Sequence, residues 1–367
     1  IAKYDASTQL LSAAHNFELE GTSPAYSKLI QANDGKLYGM TYGGGINNAG
    51  VIFSYDPGTS TYSKLKDFSS TDGSNPSGSL MQAADGKLYG MTYGGGINNV
   101  GVIFSYNPGT STFSKLKDFS GTDGANPWGS LMQASDGKLY GMTYGGGINN
   151  AGVIFSYDPG SSTYSKLKDF GSTDGVNPRG SLMQAADGKL YGMTYGGGSN
   201  NAGVIFSYDP VTSTFSKLKD FSGTDGMFPT GSLMQAADGK LYGMTKYGGS
   251  NGMGVAFSFD IPGSVYTKLQ DFNGSNGAYP QYNSFIEICT PQTYYKDNDG
   301  DGFGDPNIAI SSCSATPHPG YVTNHTDCND NDPNAFPGSL AASVNIINQS
   351  ACAGSPDGAI SLNISHG

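Results

Sequence analysis

The sequence predicts an all-β protein dominated by a β-propeller of four-stranded antiparallel blades. Three observations carry that prediction. The stretch Asp-Gly-Lys-Leu-Tyr-Gly-Met recurs from Asp34, Asp85, Asp136, Asp187 and Asp238, a constant step of 51 residues. Within each unit, four short runs alternate at the strand period of two, each bounded by turn residues. The composition, with 56 Gly, 24 Tyr and 18 Phe in 367 residues, suits short strands and tight turns better than helices. Four strands in about 50 residues is the dimension of a propeller blade, whereas a β-helix or stacked solenoid usually needs shorter units.

In the second unit the strands are expected over residues 79–83, 87–93, 102–106 and 113–119. Asp85-Gly86 supplies the positive-φ residues of a tight hairpin between the first two. Asn107-Pro108-Gly109 turns the third into the fourth. Lys115 and Lys117 fall on one face of the fourth strand, which marks it as the outer edge, because lysines guard a strand against edge-to-edge pairing. The Gly43-Gly44-Gly45-Ile46-Asn47-Asn48 loop joins strand to strand. It lacks the Lys and helix N-terminus of a phosphate cradle, so it reads as a turn using positive φ at Gly and Asn.

The array opens in mid-unit. Residues 1–20 match the second half of a repeat, residues 283–288 match a first strand, and residues 292–296 are available as a second. Together these predict a sixth blade closed by both termini; the propeller is assigned to residues 1–288, with 292–296 drawn in from the segment that follows.

No run of 18 or more apolar residues is present, so no segment is expected to span a membrane. The formal charge is −11, and residues 289–337 hold seven Asp against one Lys. This opposes nucleic acid as a partner, since phosphate binding needs clustered Lys and Arg. All four cysteines (Cys289, Cys313, Cys328 and Cys352) follow the repeats, which favours a disulfide-bearing tail in an oxidising compartment. With no signal peptide in view, the chain reads as a mature or trimmed form of an extracellular or cell-surface protein.

The unit resembles a repeat common in secreted bacterial proteins, with Gly-Ser-Leu-x-Gln-Ala-x-Asp-Gly-x-Leu-Tyr-Gly-x-Thr-x-x-Gly-Gly followed by Gly-x-x-Phe. Here that pattern occupies residues 78–95 and 101–104, and the resemblance covers roughly residues 22–288. It implies a family and is nearly silent on activity. Kelch blades differ, placing a Gly pair before a spaced Tyr and Trp. Residues 289–337 are similar to an Asp-rich metal-binding motif of bacterial surface proteins and, more distantly, to thrombospondin type 3 repeats. Residues 338–367 look like the opening of a repeat in Bacteroidetes gliding-motility adhesins, a β-sandwich-like unit cut short at Gly367. The resemblances together imply a Bacteroidetes-type surface protein, exported by type IX secretion, whose natural polypeptide is longer.

Calcium is the strongest chemical expectation. Asp297, Asp299 and Asp301 take the first, third and fifth positions of an EF-hand-like loop, Gly302 the sixth, the Phe303 carbonyl the seventh and Asp305 the ninth. Oxygen donors at this spacing suit Ca²⁺ over zinc or copper. Position twelve is Ile308, so the bidentate Glu is missing; Asp327, Asn329, Asp330 and Asp332 are expected to replace it from across a Cys313–Cys328 disulfide.

Catalysis has little sequence support. All four His lie outside the five full units, and the repeated Asp and Lys lack the single distinct place that an active site needs. The copies do differ in the connection from each fourth strand to the next first strand. Ser74, Ala125, Val176 and Met227 vary there, as do Ser77, Trp128, Arg179 and Thr230 just after Pro, while Phe228 and Tyr279 replace Asn75, Asn126 and Asn177. In a propeller this connection crosses one face toward the axis, so Ser77, Trp128, Arg179, Phe228, Thr230 and Tyr279 are expected around the channel mouth. Trp and Arg are enriched in binding hot spots. The expected function is therefore a non-catalytic binding or display module, with a glycan or protein ligand at that mouth. The alternative is a propeller hydrolase or lyase acting on polysaccharide, which unique carboxylates or His at the mouth would favour.

Overall fold

A computed structural model describes residues 2–5, 10–13, 21–23, 27–286, 292–312, 317–327 and 331. The chain forms two units, Ile1–Ile286 and Glu287–Gly367.

The first unit contains five four-stranded antiparallel sheets, one per repeat, each with its strands in sequence order. In the second repeat they are Met81–Gln82, Leu88–Thr92, Val102–Asn107 and Thr112–Asp118. Asp85-Gly86 makes the predicted hairpin, with Gly86 at φ 81° and the Asp85 carboxylate accepting from the Lys87 N–H. No helix occurs among the described residues.

The third strand is the core of each blade. In the second to fourth blades its Val-Ile-Phe-Ser-Tyr run is buried throughout, because both faces are covered by neighbouring blades. The Gly of Leu-Tyr-Gly-Met lies under its Phe: a Cβ on Gly90 would stand 2.6 Å from Phe104 Cζ. Successive blades share their cores. Phe68, ending the first blade, meets Phe104 of the second edge-on at 5.2 Å, and Phe119 meets Phe155 at 5.4 Å.

The fourth strand is the outer edge of each sheet, as expected, and its lysines also reach beyond that sheet. A register shift between Lys115 and Lys117 breaks the alternation. Lys115 donates to the Thr71 carbonyl of the preceding connection, while Lys117 lies 5.0 Å over the Tyr164 ring of the next blade and pairs with Asp123 at 2.6 Å. They join blades to one another. Burial by itself would raise the Asp123 carboxyl, but the Lys117 ammonium and the Ser120 N–H and hydroxyl hold it below the ordinary Asp value. Asp67 is likewise lowered, with the Ile46 N–H and Lys64 outweighing burial. A carboxyl lowered on folding stabilises the fold above its unfolded value of about 3.9 and loses that contribution as pH falls through the folded value. Thermal melts should therefore show no loss from this source between pH 7 and about 4, and a progressive loss below it.

The expected sixth blade is not built as predicted. Ala2–Asp5 and Leu10–Ala13 do form an antiparallel hairpin, but as a two-stranded sheet. Gln292–Lys296 belongs to the second unit, as the central strand between Ala309–Ser312 and Tyr321–Val322. The Asp-rich turn folds the chain back on this strand, so both its edges are occupied by partners close in sequence. The short separation lowers the entropy lost on pairing.

Candidate functional site

The inner ends of the repeats meet along the axis. The N–H of Lys28 donates to Ser79 Oγ, that of Ser79 to Ser130, that of Ser130 to Ser181 and that of Ser181 to Ser232, each at 2.7–2.8 Å. The Ser232 N–H then donates to the Asn283 carbonyl, and Lys28 Nζ donates to Ser284 Oγ at 2.5 Å, linking the two ends of the series. Glycine makes this approach possible. A Cβ on Gly78 would lie 2.3 Å from the Gly129 carbonyl oxygen, and one on Gly180 would lie 2.0 Å from that of Gly231.

The connections with varying residues lie just above these glycines, on the face that also carries the Gly-Gly loops. Each is tied by paired backbone hydrogen bonds to the next blade: Ser74 with Gly94, Ala125 with Gly145, Val176 with Gly196 and Met227 with Tyr247. Asn75, Asn126 and Asn177 sit at φ 54–56°, and their Nδ2 atoms donate to the carbonyls of Tyr42, Tyr93 and Tyr144. Asn tolerates that left-handed conformation well. Phe228 and Tyr279 hold the same backbone conformation, at φ 56° and 50°, without an amide side chain to support it. Aromatic residues in this region mark strain, which points to a use for the ring.

The rings form one continuous arc. Trp128 stacks with Tyr282 at 5.9 Å and meets Tyr93 edge-on at 5.2 Å. The Arg179 guanidinium lies 5.7 Å from the Trp128 ring, 5.4 Å from Tyr144 and 3.9 Å over Tyr195. Tyr195 stacks on Phe228 at 5.0 Å, Phe228 meets Tyr247 at 6.2 Å, and Tyr247 meets Tyr279 at 5.5 Å. Lys246 stands over Tyr247 at 5.0 Å. Thus Trp128, Arg179, Phe228 and Tyr279, 51 residues or nearly so apart, share one surface.

Ser77 and Thr230 are placed otherwise. They are 2% and 1% exposed. Ser77 Oγ donates to the Pro127 carbonyl and Thr230 Oγ1 accepts from the Tyr282 N–H, so both serve the joints between repeats. Sequence reasoning passed over Tyr93, Tyr144, Tyr195, Tyr247, Tyr282 and Lys246. Tyr93, Tyr144 and Tyr195 are constant within the repeat and look structural. The legible signals were Lys246, which stands where four copies carry Tyr42, Tyr93, Tyr144 and Tyr195, and Tyr247, which stands where they carry Gly43, Gly94, Gly145 and Gly196.

In the second unit, one carboxylate oxygen from each of Asp297, Asp299 and Asp301 lies within 4.8 Å of the others, close enough to hold a metal ion. Asp297 is oriented by the Gly300 and Gly302 N–H groups, and Asp301 Oδ1 accepts from the Phe303 N–H. Asp301 Oδ2 is buried without a hydrogen-bond donor, an arrangement that a bound cation would satisfy. Asp305 turns toward Asn307. The later Asp-rich stretch approaches the loop: Asn324 Nδ2 donates to the Gly302 carbonyl and the Asp327 N–H to that of Gly304, leaving Asp327 only 3% exposed. Asn329, Asp330, Asp332 and all four cysteines, including the Cys313–Cys328 pair, lie outside the described residues, as does the whole of residues 338–367.

Fold and site define a propeller-type repeat protein with an aromatic-lined axial surface. The chain belongs to the Gloeobacter/Verrucomicrobia repeat family, whose model matches residues 1–185 and 119–288. A comparison with curated proteins gives no match. Among solved structures, the extracellular domain of BT4673 from B. thetaiotaomicron is similar at 14% identity and a TM-score of 0.52, over 75% of this chain and 31% of that one. TolB from Acinetobacter baumannii is similar at 16% identity and a TM-score of 0.45, over 72% of this chain and 58% of that one. At 14% identity the likeness to the BT4673 domain concerns the fold alone. No helix of the described residues is long and apolar enough to cross a membrane.

Proposed function

We propose that this chain is a non-catalytic binding or display module of a secreted, surface-associated bacterial protein, taking a glycan or protein ligand at the channel mouth. The observation that carries this reading is the arc from Trp128 to Tyr279, in which three aromatic residues, Phe228, Tyr279 and Tyr282, are kept in a left-handed backbone conformation. Rings and cations make up this arc, and it brings together no carboxylate or His among the described residues. That supports recognition over the hydrolase or lyase alternative, whose chemistry needs a positioned acid or base. A glycan array probed with the intact chain is the direct test. For any ligand it finds, Trp128→Ala should weaken binding at least about tenfold, or roughly 1.4 kcal/mol. Unchanged affinity would move the site away from the mouth.

Calcium is proposed as the ion of the Asp297–Asp299–Asp301 cluster. Its support is an all-oxygen donor set spaced as in an EF-hand, with one buried carboxylate oxygen lacking a donor. Metal binding would contribute to folding a segment poor in apolar side chains. Chelation should then speed proteolysis within residues 292–327 while leaving the blades resistant, and Asp299→Ala should abolish protection by added calcium. Equal cleavage with and without chelator would count against a structural metal.

A further inference from the structure

The aromatic arc carries two cations, Arg179 and Lys246. Along the blades lysine is regularly matched with a carboxylate, as in Lys64 with Asp67 and Lys66 with Asp72, and the pattern repeats in later blades. Arg179, the chain's single arginine, pairs with no carboxylate among the described residues, and its Nε is buried without a hydrogen-bond partner. Lys246 likewise pairs with none, and stands where the other copies have Tyr. The two positions are joined through the arc, since Arg179 lies on Tyr195, Tyr195 on Phe228, and the Lys246 N–H bonds to the Phe228 carbonyl. They belong to adjacent blades. In a chain of net charge −11, two cations without counter-charges on one aromatic surface are a local reversal of sign.

Resting on the channel-mouth reading, we infer that the ligand is an acidic oligosaccharide, its carboxylates taken by Arg179 and Lys246. Its sugar rings would lie against Tyr279 and the Trp128–Tyr282 pair. Tyr195 covers a face of the guanidinium, and the N–H donors lie in the guanidinium plane, where they match a planar carboxylate. Tyr279 is 44% exposed, and its ring can take the C–H face of a pyranose. Tyrosine hydroxyls along the arc suit a ligand that alternates C–H faces with hydroxyl groups. Two cations on neighbouring blades suit a ligand whose charges repeat along its length.

The test is calorimetric titration of the full chain with oligogalacturonate and with the same oligomer fully methyl-esterified, which keeps the sugar and removes the charge. A chelator is present throughout, so that no divalent cation bridges uronates to the Asp297 cluster. The acid form is expected to bind at least tenfold more tightly than the ester, with affinity falling as salt rises. Arg179→Gln and Lys246→Gln should each remove most of that preference, and Lys87→Gln, in the hairpin at the opposite end of a blade, should leave it intact. Melting temperatures of the variants establish that folding is unaffected; Arg179→Lys, which retains charge without the planar fork, should fall between wild type and Arg179→Gln. Equal binding of acid and ester, both weakened by Trp128→Ala, would overturn the anionic ligand and leave the channel-mouth site standing. Binding indifferent to Trp128→Ala, Arg179→Gln and Lys246→Gln would overturn that site as well. Failure of both sugars to bind, or tighter Arg179-dependent binding of polyglutamate, would overturn the carbohydrate assignment.

Discussion

Gly180→Val is expected to destabilise the repeat array by about 3 kcal/mol or more, at the upper end of what overpacking costs. The reason is backbone contact. A Cβ at this position would stand 2.0 Å from the Gly231 carbonyl oxygen, and neither atom sits on a side chain that can rotate away. Relief requires moving one inner segment from the next, which would break the Ser181 to Ser232 hydrogen bond. The same joint recurs at Gly78, Gly129 and Gly231, so the strain would be transmitted along the axis. Denaturant melts of Gly180→Val should show a lowered midpoint, whereas Gly223→Ala, where an added Cβ meets nothing within 4 Å, should melt like the wild type. Matching midpoints for Gly180→Val and wild type would show that the inner segments tolerate wider spacing.

Phe170→Ala should cost about 3–5 kcal/mol, the range for deleting a fully buried aromatic ring. Phe170 has no exposed surface and ends the third blade, with Phe206 of the fourth 5.3 Å away edge-on and Phe215 at 6.0 Å. Its loss opens a cavity between two blades, where Phe206 and Phe215, stacked on each other at 5.3 Å, cannot both move into the space. Phe170→Leu should retain much of the stability, because most of the volume remains. If Phe170→Ala costs under about 1 kcal/mol, the joint repacks freely and adjacent blades do not share a core as described.

The blade itself was legible because its causes are local. Alternating apolar residues, Asp-Gly at the hairpin and Asn or Asp with Pro at the next turn specify four antiparallel strands within a single unit. The fivefold repetition then identifies the architecture. The edge position of the fourth strand was legible as well, but what Lys115 and Lys117 meet there was not, for a reason just as physical. A bulge redirects side chains without changing the apolar pattern, and only the next blade reveals what the redirected lysine meets.

The sequence by itself determined the all-β fold, the repeat period, the turns and the oxygen-rich spacing of Asp297, Asp299 and Asp301, since each depends on residues close together in the chain. Tertiary structure alone decided what shares a surface. Trp128, Arg179, Phe228 and Tyr279 come from successive connections, and they meet only because glycine lets the inner segments approach within hydrogen-bonding distance. The same approach buries Ser77 and Thr230, and it sets the constant tyrosines between the varying residues. Gln292–Lys296 was expected as a strand of a sixth blade, but in the folded second unit it pairs with Ala309–Ser312 and Tyr321–Val322, partners close in sequence that occupy both its edges.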